Sequence, residues 1–417
     1  MDRGFLEELF KTAVAAADPA LAIAANLPER PRGRTLVVGA GKASAQMARA
    51  FEDAWGEPVE GLVVTRYGYA APTRWIEVVE AAHPVPDEAG YLAARRLLSR
   101  VAGLGPDDLV VALISGGGSA LLPAPASGLT LADEQAVNRA LLASGAPISA
   151  MNAIRNELSA IKGGRLAAHA APARVATLIV SDVPGDDPAL VASGPTVPLK
   201  STRAEARHLV AHYRVELPPA AAHLLAGSDN PSPSPDDKVF ARNSVRIVAS
   251  AARSLEAAAV LAKTRGIDAH ILSDAIEGEA RDVALVHAAL AKEIAARNRP
   301  FARPAMLLSG GETTVTLRGE GKGGRNSEFL LAFALAVEGV GAISALAADT
   351  DGIDGSEDNA GAVADGTSAA RMRHAGIDPR AMLAGNDAYS AFAAIGDLLV
   401  TGPTGTNVND FRAILIA

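Results

Sequence analysis

The sequence predicts an α/β protein with two domains, and three observations carry this prediction. Short apolar, β-branched runs alternate with helical patterns, as they do where helices cover both faces of a parallel sheet. The chain has 417 residues, of which 49% are hydrophobic, whereas a single core stops growing at about 250 to 300 residues. A stretch rich in proline, serine and aspartate, residues 227–237, suits an exposed connection between domains.

The elements of the two domains follow from the periodicity of apolar residues. An amphipathic helix is expected near residues 3–25, and four strands follow it at residues 35–38, 61–65, 108–114 and 176–180. We assign residues 1–236 to a larger, Rossmann-like domain with a mostly parallel sheet. Residues 237–417 form a smaller α/β domain, which begins with a strand, a helix, a strand and an alanine-rich helix at residues 245–250, 251–265, 270–273 and 279–297.

The composition excludes several classes of protein. The formal net charge is −8 and no stretch gathers lysine and arginine on one face, so a nucleic-acid partner is not expected. The chain has no cysteine, which excludes disulfides and thiolate chemistry. It begins with acidic residues instead of a secretory signal and lacks the run of about 18 apolar residues that spans a bilayer. We therefore expect a cytoplasmic enzyme without a membrane partner.

The first candidate phosphate-binding loop follows the first strand and contains Gly39, Gly41 and Lys42. It is not a Walker A loop, and it only half matches a dinucleotide fingerprint because Ser44 replaces the third glycine. A lysine beside two glycines at the start of a helix is nevertheless well placed to bind a phosphoryl group. A tight turn with a solvent-facing Lys42 is the alternative.

The second candidate loop has three consecutive glycines after an apolar strand: Ser115, Gly116, Gly117, Gly118 and Ser119. Ordering three glycines is costly, so a close approach of the backbone to a ligand is favoured over a purely structural turn. A nucleophile elbow centred on Ser119 would need glycine where Leu121 stands, which disfavours serine hydrolysis.

Two more stretches, in the second domain, contain residues that we place with substrate or nucleotide binding. One follows an apolar strand and contains Gly310, Gly311 and Glu312. The other embeds Lys322 and Arg325 among glycines and continues into Asn326. Arg325 is the stronger candidate because a helical run begins beside it, whereas Lys322 also suits a flexible hairpin tip.

Two acidic loops are candidates for a Mg²⁺ site, since Mg²⁺ takes one or two carboxylates together with phosphate oxygens. They contain Asp182 and Asp187 in the first domain and Asp349 and Asp351 in the second. Each carboxylate has three alternatives: a metal ligand, a base for a substrate hydroxyl, or ordinary turn chemistry. We place Asp187 with the catalytic residues and the other three with the metal.

A predicted helix starting near residue 149 carries Asn152 and Arg155, which share one face and could meet one carboxylate. Lys162 follows in a glycine-rich stretch. An exposed polar stripe is the alternative. The histidines show no zinc-binding spacing, and His83 before Pro84 is expected to shape a turn.

Taken together, these motifs resemble the glycerate 2-kinase family, in which a larger N-terminal domain is followed by a MOFRL domain. The matching stretches span nearly the whole chain, at residues 38–44, 83–87, 114–122, 152–162, 181–195, 308–314, 323–328, 349–355 and 401–409. The last contains Asn407, which we place with the binding residues. The resemblance implies ATP-dependent transfer of a phosphoryl group to the 2-hydroxyl of D-glycerate, with a divalent metal, in a cleft between two domains.

The resemblance also assigns roles to individual residues, and two alternative functions remain open. Lys42 and Arg325 match the family's functional cations, and the loop at residues 115–119 with Asn152 would hold substrate or nucleotide phosphate. One rival is an NAD(P)H-dependent hydroxypyruvate reductase, a name often given to similar proteins. The other is a non-catalytic binding protein for sugar acids. A monomer or a homodimer is expected.

Overall fold

The computed structural model describes residues 3–227 and 232–417, so part of the predicted linker, residues 228–231, lies outside the described residues. The chain divides into two compact units. The parallel-sheet unit is Pro19–Val248, and the mixed-sheet unit combines residues 3–18 with Ala249–Ala417. The α/β class with two domains is confirmed. The position of the active site between two domains stays a prediction.

The first predicted helix is in fact two helices, α1 (Arg3–Ala16) and α2 (Pro19–Ala24). Pro19 lacks an N–H and disfavours a helical conformation in the residue before it, so one helix ends and the next begins there. The apolar periodicity continues through both helices, which is why the sequence alone suggested a single element.

The parallel-sheet unit contains six strands in the order β3-β2-β1-β4-β5-β6. They are β1 (Thr35–Ala40), β2 (Glu60–Arg66), β3 (Ile76–Ala81), β4 (Leu109–Ser115), β5 (Arg174–Val180) and β6 (Ser244–Ala249). Strands β1 to β5 pair in parallel, as their continuous apolar runs predict. The carboxyl ends of β1, β4 and β5 therefore lie side by side, where open α/β sheets bind ligands.

Helices surround this sheet and form a second small core beside it. They are α3 (Ser44–Trp55), α4 (Glu88–Val101), α5 (Gly118–Leu121), α6 (Leu131–Ala143), α7 (Ile148–Glu157), α8 (Arg165–Ala170), α9 (Arg203–His212) and α10 (Pro219–Ala226). Helices α6, α7, α9 and α10 pack around apolar side chains such as Val137, Leu141 and Ile154. This core gives α7 a rigid position.

The mixed-sheet unit also has six strands, in the order β11-β10-β9-β12-β8-β7. They are β7 (Asp268–Glu279), β8 (Ala305–Thr314), β9 (Ile343–Asp349), β10 (Gly361–Asp365), β11 (Leu398–Leu399) and β12 (Asp410–Ile416). Strand β12 runs antiparallel between β8 and β9, while β7 and β8 are parallel. The helices are α11 (Ala251–Thr264), α12 (Ala280–Arg297), α13 (Arg325–Ala336), α14 (Ser368–His374), α15 (Pro379–Ala384) and α16 (Ala388–Ala393).

The composition of the two units corrects the predicted boundary after residue 236. Helix α1 buries Phe5, Leu6 and Phe10 together with Leu255 of α11 and Phe411 of β12, so it belongs to the mixed-sheet unit. Strand β6, which the prediction placed in the second domain, is the edge of the parallel sheet. Periodicity shows that an element has an apolar face but does not show which sheet covers that face.

No helix within residues 3–227 and 232–417 has the length and apolar character needed to cross a membrane.

Candidate active site

The loops after β1 and β4 are joined by hydrogen bonds in the parallel-sheet unit. The Lys42 N–H donates to the Gly116 carbonyl oxygen at 2.8 Å, and the Ala43 N–H donates to Ser115 Oγ at 3.0 Å. Gly41 has a φ of 137°, and a Cβ there would overlap Ser115. Only glycine therefore lets the two loops approach this closely.

Ser44 explains the incomplete dinucleotide fingerprint. Its hydroxyl lies 2.9 Å from the Gly41 carbonyl oxygen and 2.7 Å from the Val64 carbonyl oxygen, so it ties the start of α3 to β2. No side chain caps α3 at Ala43. Helix α3 thus begins two residues after Lys42, so that its positive N-terminal end lies near this lysine.

Packing accounts for all three glycines of the second loop. A Cβ on Gly116 would overlap the Asp182 carboxylate, and one on Gly118 would lie 2.7 Å from the Ala192 Cβ. Gly117 has a φ of 78°, and its Cβ would lie 3.3 Å from Lys42 Cγ. The glycines bring Asp182 and Lys42 against the loop, and their role in binding stays a prediction.

His83 lies at the same loop, although sequence analysis assigned it only to a turn. Its Nε2 would be 3.1 Å from a Cβ on Gly117, next to the Lys42 side chain. Burial, with the positive charges of Lys42 and Arg66, lowers the pKa of His83 to about 4. The imidazole is therefore neutral at pH 7, so the positive charge beside Gly117 comes from Lys42 and not from His83. Its distance along the chain from Lys42 concealed this contact.

The acidic loop after β5 places its two predicted aspartates differently. Asp182 packs against Gly116, next to the glycine loop. Asp187 is exposed, and its Oδ1 accepts the Ala189 N–H at 2.9 Å, which closes a turn. Turn chemistry thus accounts for part of the acidic pattern.

Ser193 is a site residue that sequence analysis missed. Its Oγ lies 2.9 Å from Ser119 Oγ and 2.9 Å from Asn152 Oδ1, so it links the glycine loop to α7. Ser193 has a φ of 59° and follows Ala192, with a φ of 53°. Two consecutive non-glycine residues in this region store backbone strain, which is typical of functional loops. No sequence motif marks such a conformation.

The predicted binding residues on and after α7 separate into two roles. Arg155 donates to Asn138 Oδ1 at 2.8 Å and to Asn152 Oδ1 at 3.4 Å. Lys162 is 2% exposed and pairs with Glu134 at 2.6 Å. The Lys162 ammonium is therefore committed to a buried ion pair, whereas Arg155 has only amide partners among these contacts.

Arg325 of the mixed-sheet unit contacts three carboxylates. Its guanidinium lies 2.6 Å from Asp410, 2.8 Å from Asp349 and 3.2 Å from Glu312. Burial alone would lower the pKa of Arg325, but these three negative charges outweigh burial and raise it above its usual value. The sequence marked all of this group except Asp410, which lies at the start of β12 without a motif of its own.

Asp349 and Asp351, predicted as metal ligands, lie at the end of β9. Asp349 Oδ1 accepts the Asp351 N–H at 3.1 Å, and its Oδ2 accepts from Arg325. Burial and the charge of Asp351 raise the pKa of Asp349, while Arg325 opposes the shift. Across the described ranges, no three His, Asp or Glu side chains converge as they would around a metal ion.

Asp354 holds the start of α13. It accepts the Asn326 N–H at 2.9 Å and the Ser327 N–H at 2.8 Å, so it satisfies two of the free donors at that helix end. Asn326 in turn donates from its amide to Asp410 at 2.8 Å. The predicted residue Asn326 thus orients the carboxylate that holds Arg325.

The remaining predicted residues of this unit are held by strand pairing or by a local hydrogen bond to the backbone. Gly310, Gly311 and Glu312 lie inside β8 and not in a loop after it, which corrects the prediction. Gly311 has a φ of 125°, and a Cβ there would overlap the Ile276 backbone of β7. Asn407 accepts the Asn409 N–H at 3.0 Å. The apolar run ended at Leu308, but strand pairing continues past it.

A cavity of about 340 Å³ opens beside Arg325. Its lining includes Thr313, Gly323, Gly324, Asp349 and Asn386. Asn386 donates to the buried Glu328 at 2.8 Å, and Arg281 pairs with the same carboxylate at 2.6 Å. The cavity therefore has polar and apolar walls and contains the Arg325 cation.

Each unit thus combines an α/β sheet with a glycine-lined candidate site that contains a cation, as expected for a two-domain α/β protein. The domain of unknown function DUF4147 matches residues 5–226, and the MOFRL family matches residues 305–410. A D-glycerate 2-kinase of Thermotoga maritima is 39% identical over 98% of this chain and 97% of its own length. The chain belongs to the glycerate 2-kinase family.

Two further likenesses extend over nearly the whole chain and carry different names. The crystal structure of a glycerate kinase from Thermotoga maritima superposes with a TM-score of 0.91, at 38% identity, over 99% of both chains. A putative hydroxypyruvate reductase of Agrobacterium vitis is 56% identical over 99% of this chain and 94% of its own length. Both the fold and the MOFRL domain expected from the sequence are confirmed.

Proposed function

We propose that this protein is an ATP-dependent glycerate 2-kinase, which transfers the γ-phosphoryl group of ATP to the 2-hydroxyl of D-glycerate. The products are 2-phosphoglycerate and ADP. The observation that carries the proposal is the position of Lys42. Its backbone is held by Gly116 and it precedes the start of α3, so its ammonium group lies at a helix N-terminus, where a phosphoryl group is favoured.

The proposed phosphoryl transfer depends more on positive charge at the site than on covalent catalysis. The 2-hydroxyl oxygen attacks the γ-phosphorus, the bond to the ADP oxygen breaks, and the hydroxyl proton passes to a carboxylate. Lys42 stabilises the charge that spreads over the phosphoryl oxygens, and Arg325 is the second functional cation. We assign the acceptance of the proton to Asp187, whose exposed carboxylate uses Oδ1 for the Ala189 N–H.

The residues of the parallel-sheet unit fit a Mg²⁺ ion bound with ATP. Mg²⁺ takes one or two carboxylates and completes its shell with phosphate oxygens and water. Asp182, packed on Gly116, would hold it at the phosphate loop. Asp349 and Asp351 remain candidates, although Asp349 already accepts a hydrogen bond from Arg325. Held by Asp182, Mg²⁺ would neutralise negative charge on the phosphates of ATP.

A product analysis tests the proposal. Purified protein is incubated with D-glycerate, ATP and Mg²⁺, and phosphorus NMR identifies the phosphorylated product. The signal of 2-phosphoglycerate is expected. Appearance of 3-phosphoglycerate would correct the position of transfer, and absence of any phosphoglycerate would reject the kinase.

A parallel incubation tests the reductase. Hydroxypyruvate and reduced nicotinamide replace glycerate and ATP, and nicotinamide absorbance is followed. We expect no loss of absorbance, because Ser44 occupies the position at which the dinucleotide fingerprint has its third glycine. A cytoplasmic location and a monomeric or homodimeric state remain predictions.

A further inference from the structure

Four side chains form a continuous hydrogen-bonded path from the glycine loop to α7. Ser119 Oγ contacts Ser193 Oγ at 2.9 Å, and Ser193 Oγ donates to Asn152 Oδ1 at 2.9 Å. The same amide oxygen accepts from the Arg155 guanidinium at 3.4 Å. Arg155 is thus connected by hydrogen bonds to the glycine loop, whose Gly116 carbonyl oxygen accepts from the Lys42 N–H.

The Arg155 guanidinium has only neutral partners. Its Nε donates to Asn138 Oδ1 at 2.8 Å, and one of its terminal N–H groups donates to Asn152. No carboxylate of the described chain lies within 4.0 Å of it. A guanidinium presents five N–H donors in a planar fork, so donors remain for a further acceptor.

The surroundings of Arg155 contain one positive charge in excess. Glu134 is the acid that acts on Arg155 electrostatically, but its carboxylate already pairs with the buried Lys162 at 2.6 Å. Burial therefore dominates and lowers the pKa of Arg155, with Glu134 opposing. A partly buried cation without its own counter-ion is costly unless a ligand supplies the anion.

We propose that Arg155 binds the carboxylate of the acceptor substrate and thereby selects a 2-hydroxy acid over a neutral alcohol. This rests on the proposed function. In a 2-hydroxy acid the carboxylate is attached to the carbon that bears the reacting hydroxyl, so its anchor must lie near the phosphoryl-binding loop. The Ser119–Ser193–Asn152 path provides this connection. A guanidinium fork matches the two oxygens of a carboxylate.

Asn152 is a positioning residue in this arrangement. Its amide oxygen is shared by Ser193 and Arg155, and its amide nitrogen donates to the Leu190 carbonyl oxygen at 3.4 Å. With its polar atoms engaged, Asn152 orients the guanidinium, and Arg155 makes the contact with substrate.

The test compares D-glycerate with D-glyceramide, which replaces the carboxylate by a neutral amide of nearly the same shape. The wild type should prefer the acid in kcat/KM, and Arg155→Met should raise the KM for D-glycerate about 10- to 100-fold, as expected for losing a charge-assisted contact. The preference for acid over amide should vanish, while the KM for ATP stays unchanged. Arg139→Met, on the exposed face of α6, is the matched control and should behave as wild type.

Several outcomes would overturn the assignment. A full preference for the acid in Arg155→Met would remove Arg155 from carboxylate binding, and a raised KM for ATP alone would assign the guanidinium to nucleotide phosphate. If Arg155→Met does not fold, Arg155→Lys decides, because an ammonium lacks the fork; an unchanged KM for D-glycerate in that variant would reject the proposal.

A binding measurement separates this inference from the proposed function. Thermal unfolding of wild type is followed with D-glycerate or D-glyceramide in the absence of ATP. Stabilisation by the acid alone, lost in Arg155→Met or weakened in Arg155→Lys, supports the carboxylate site even if phosphoryl transfer fails. Equal stabilisation by acid and amide would contradict it.

Discussion

Asp410 joins Arg325 to Arg412. Its Oδ1 accepts a hydrogen bond from Arg325 Nε at 2.6 Å, and its Oδ2 pairs with Arg412, which is fully buried. Arg412 also donates to Thr313 Oγ1 at 3.0 Å and lies over the ring of Phe329. The positive charges of Arg412 and Arg325 lower the pKa of Asp410 despite its burial. One of the three carboxylates that contact Arg325 is thus held in place by a cation that has no contact with solvent.

Asp410→Asn tests this relationship. The substitution keeps the shape but leaves Arg412 buried without a counter-ion, so we expect the free energy of unfolding to fall by about 3 to 5 kcal/mol. Turnover should fall as well because Arg325 loses its shortest contact. Urea unfolding and steady-state kinetics measure the two effects.

The control for Asp410 is Asp349→Asn. Burial and Asp351 already raise the pKa of Asp349, so removing its charge should cost less than about 1 kcal/mol. A larger loss of stability in this variant than in Asp410→Asn would show that Asp349, and not Asp410, holds Arg325.

Lys42→Ala should separate catalysis from stability. The Lys42 loop is held through backbone atoms, so the free energy of unfolding should stay within about 0.5 kcal/mol. Turnover should fall at least about 100-fold, the usual effect of losing a group that stabilises transition-state charge. Thermal unfolding and steady-state kinetics provide the comparison.

Lys322→Ala is the matched control for Lys42. Its side chain is 60% exposed and contacts Glu357 at 3.4 Å, a surface ion pair of little energetic value. Turnover is expected to remain at the wild-type level. Equal losses of turnover in Lys42→Ala and Lys322→Ala would mean that Lys42 has no special role in catalysis.

Asp182→Asn should raise the concentration of Mg²⁺ needed for half-maximal activity, because a neutral amide is a weaker ligand for a hard cation. Gly116→Ala should act in the same direction, since its Cβ would displace the Asp182 carboxylate. Titration of activity with Mg²⁺ at saturating ATP measures both.

The control for Asp182 is Asp186→Asn, in the same acidic loop. Asp186 has a φ of 55°, a conformation that asparagine tolerates. Its Mg²⁺ requirement should match the wild type. An unchanged Mg²⁺ requirement in Asp182→Asn would indicate that Asp349 and Asp351 bind the metal instead.

His287 predicts a pH dependence of stability. Its Nε2 lies 3.0 Å from Ser309 Oγ and its Nδ1 2.9 Å from the Val283 carbonyl oxygen, and burial lowers its pKa to about 4. Because the unfolded chain binds a proton near pH 6.5 and the folded protein does not, stability falls as the pH drops from about 6.5 to about 4. The loss from this group is on the order of 3 kcal/mol.

His287→Gln should flatten the dependence of stability on pH. Glutamine can still accept a hydrogen bond from the Ser309 hydroxyl, and it does not titrate. Urea unfolding of both proteins between pH 4 and 7 isolates the contribution of His287 as the difference between the two curves. Parallel curves would show that the pKa of His287 is the same in the folded and the unfolded protein.

The α/β class and most candidate loops were predictable from the order of the residues. Continuous apolar runs predicted the parallel strands, and the glycines marked the loops at Lys42 and Arg325. These features are local: strand propensity, glycine conformation and the charge of a side chain depend on a few neighbouring residues. Nothing local distinguished Lys162, a buried ion-pair partner, from Arg155, whose guanidinium lacks a carboxylate partner.

The contacts between residues far apart along the chain became visible in the folded protein. It assigned α1 to the mixed-sheet unit, placed His83 beside Lys42, and joined Asp410 to both Arg325 and Arg412. It also extended β8 through Gly310 and Gly311, because pairing with β7 and β12 continues where the apolar pattern stops. Such contacts are set by sheet order and by the burial of charge, and both depend on the whole fold.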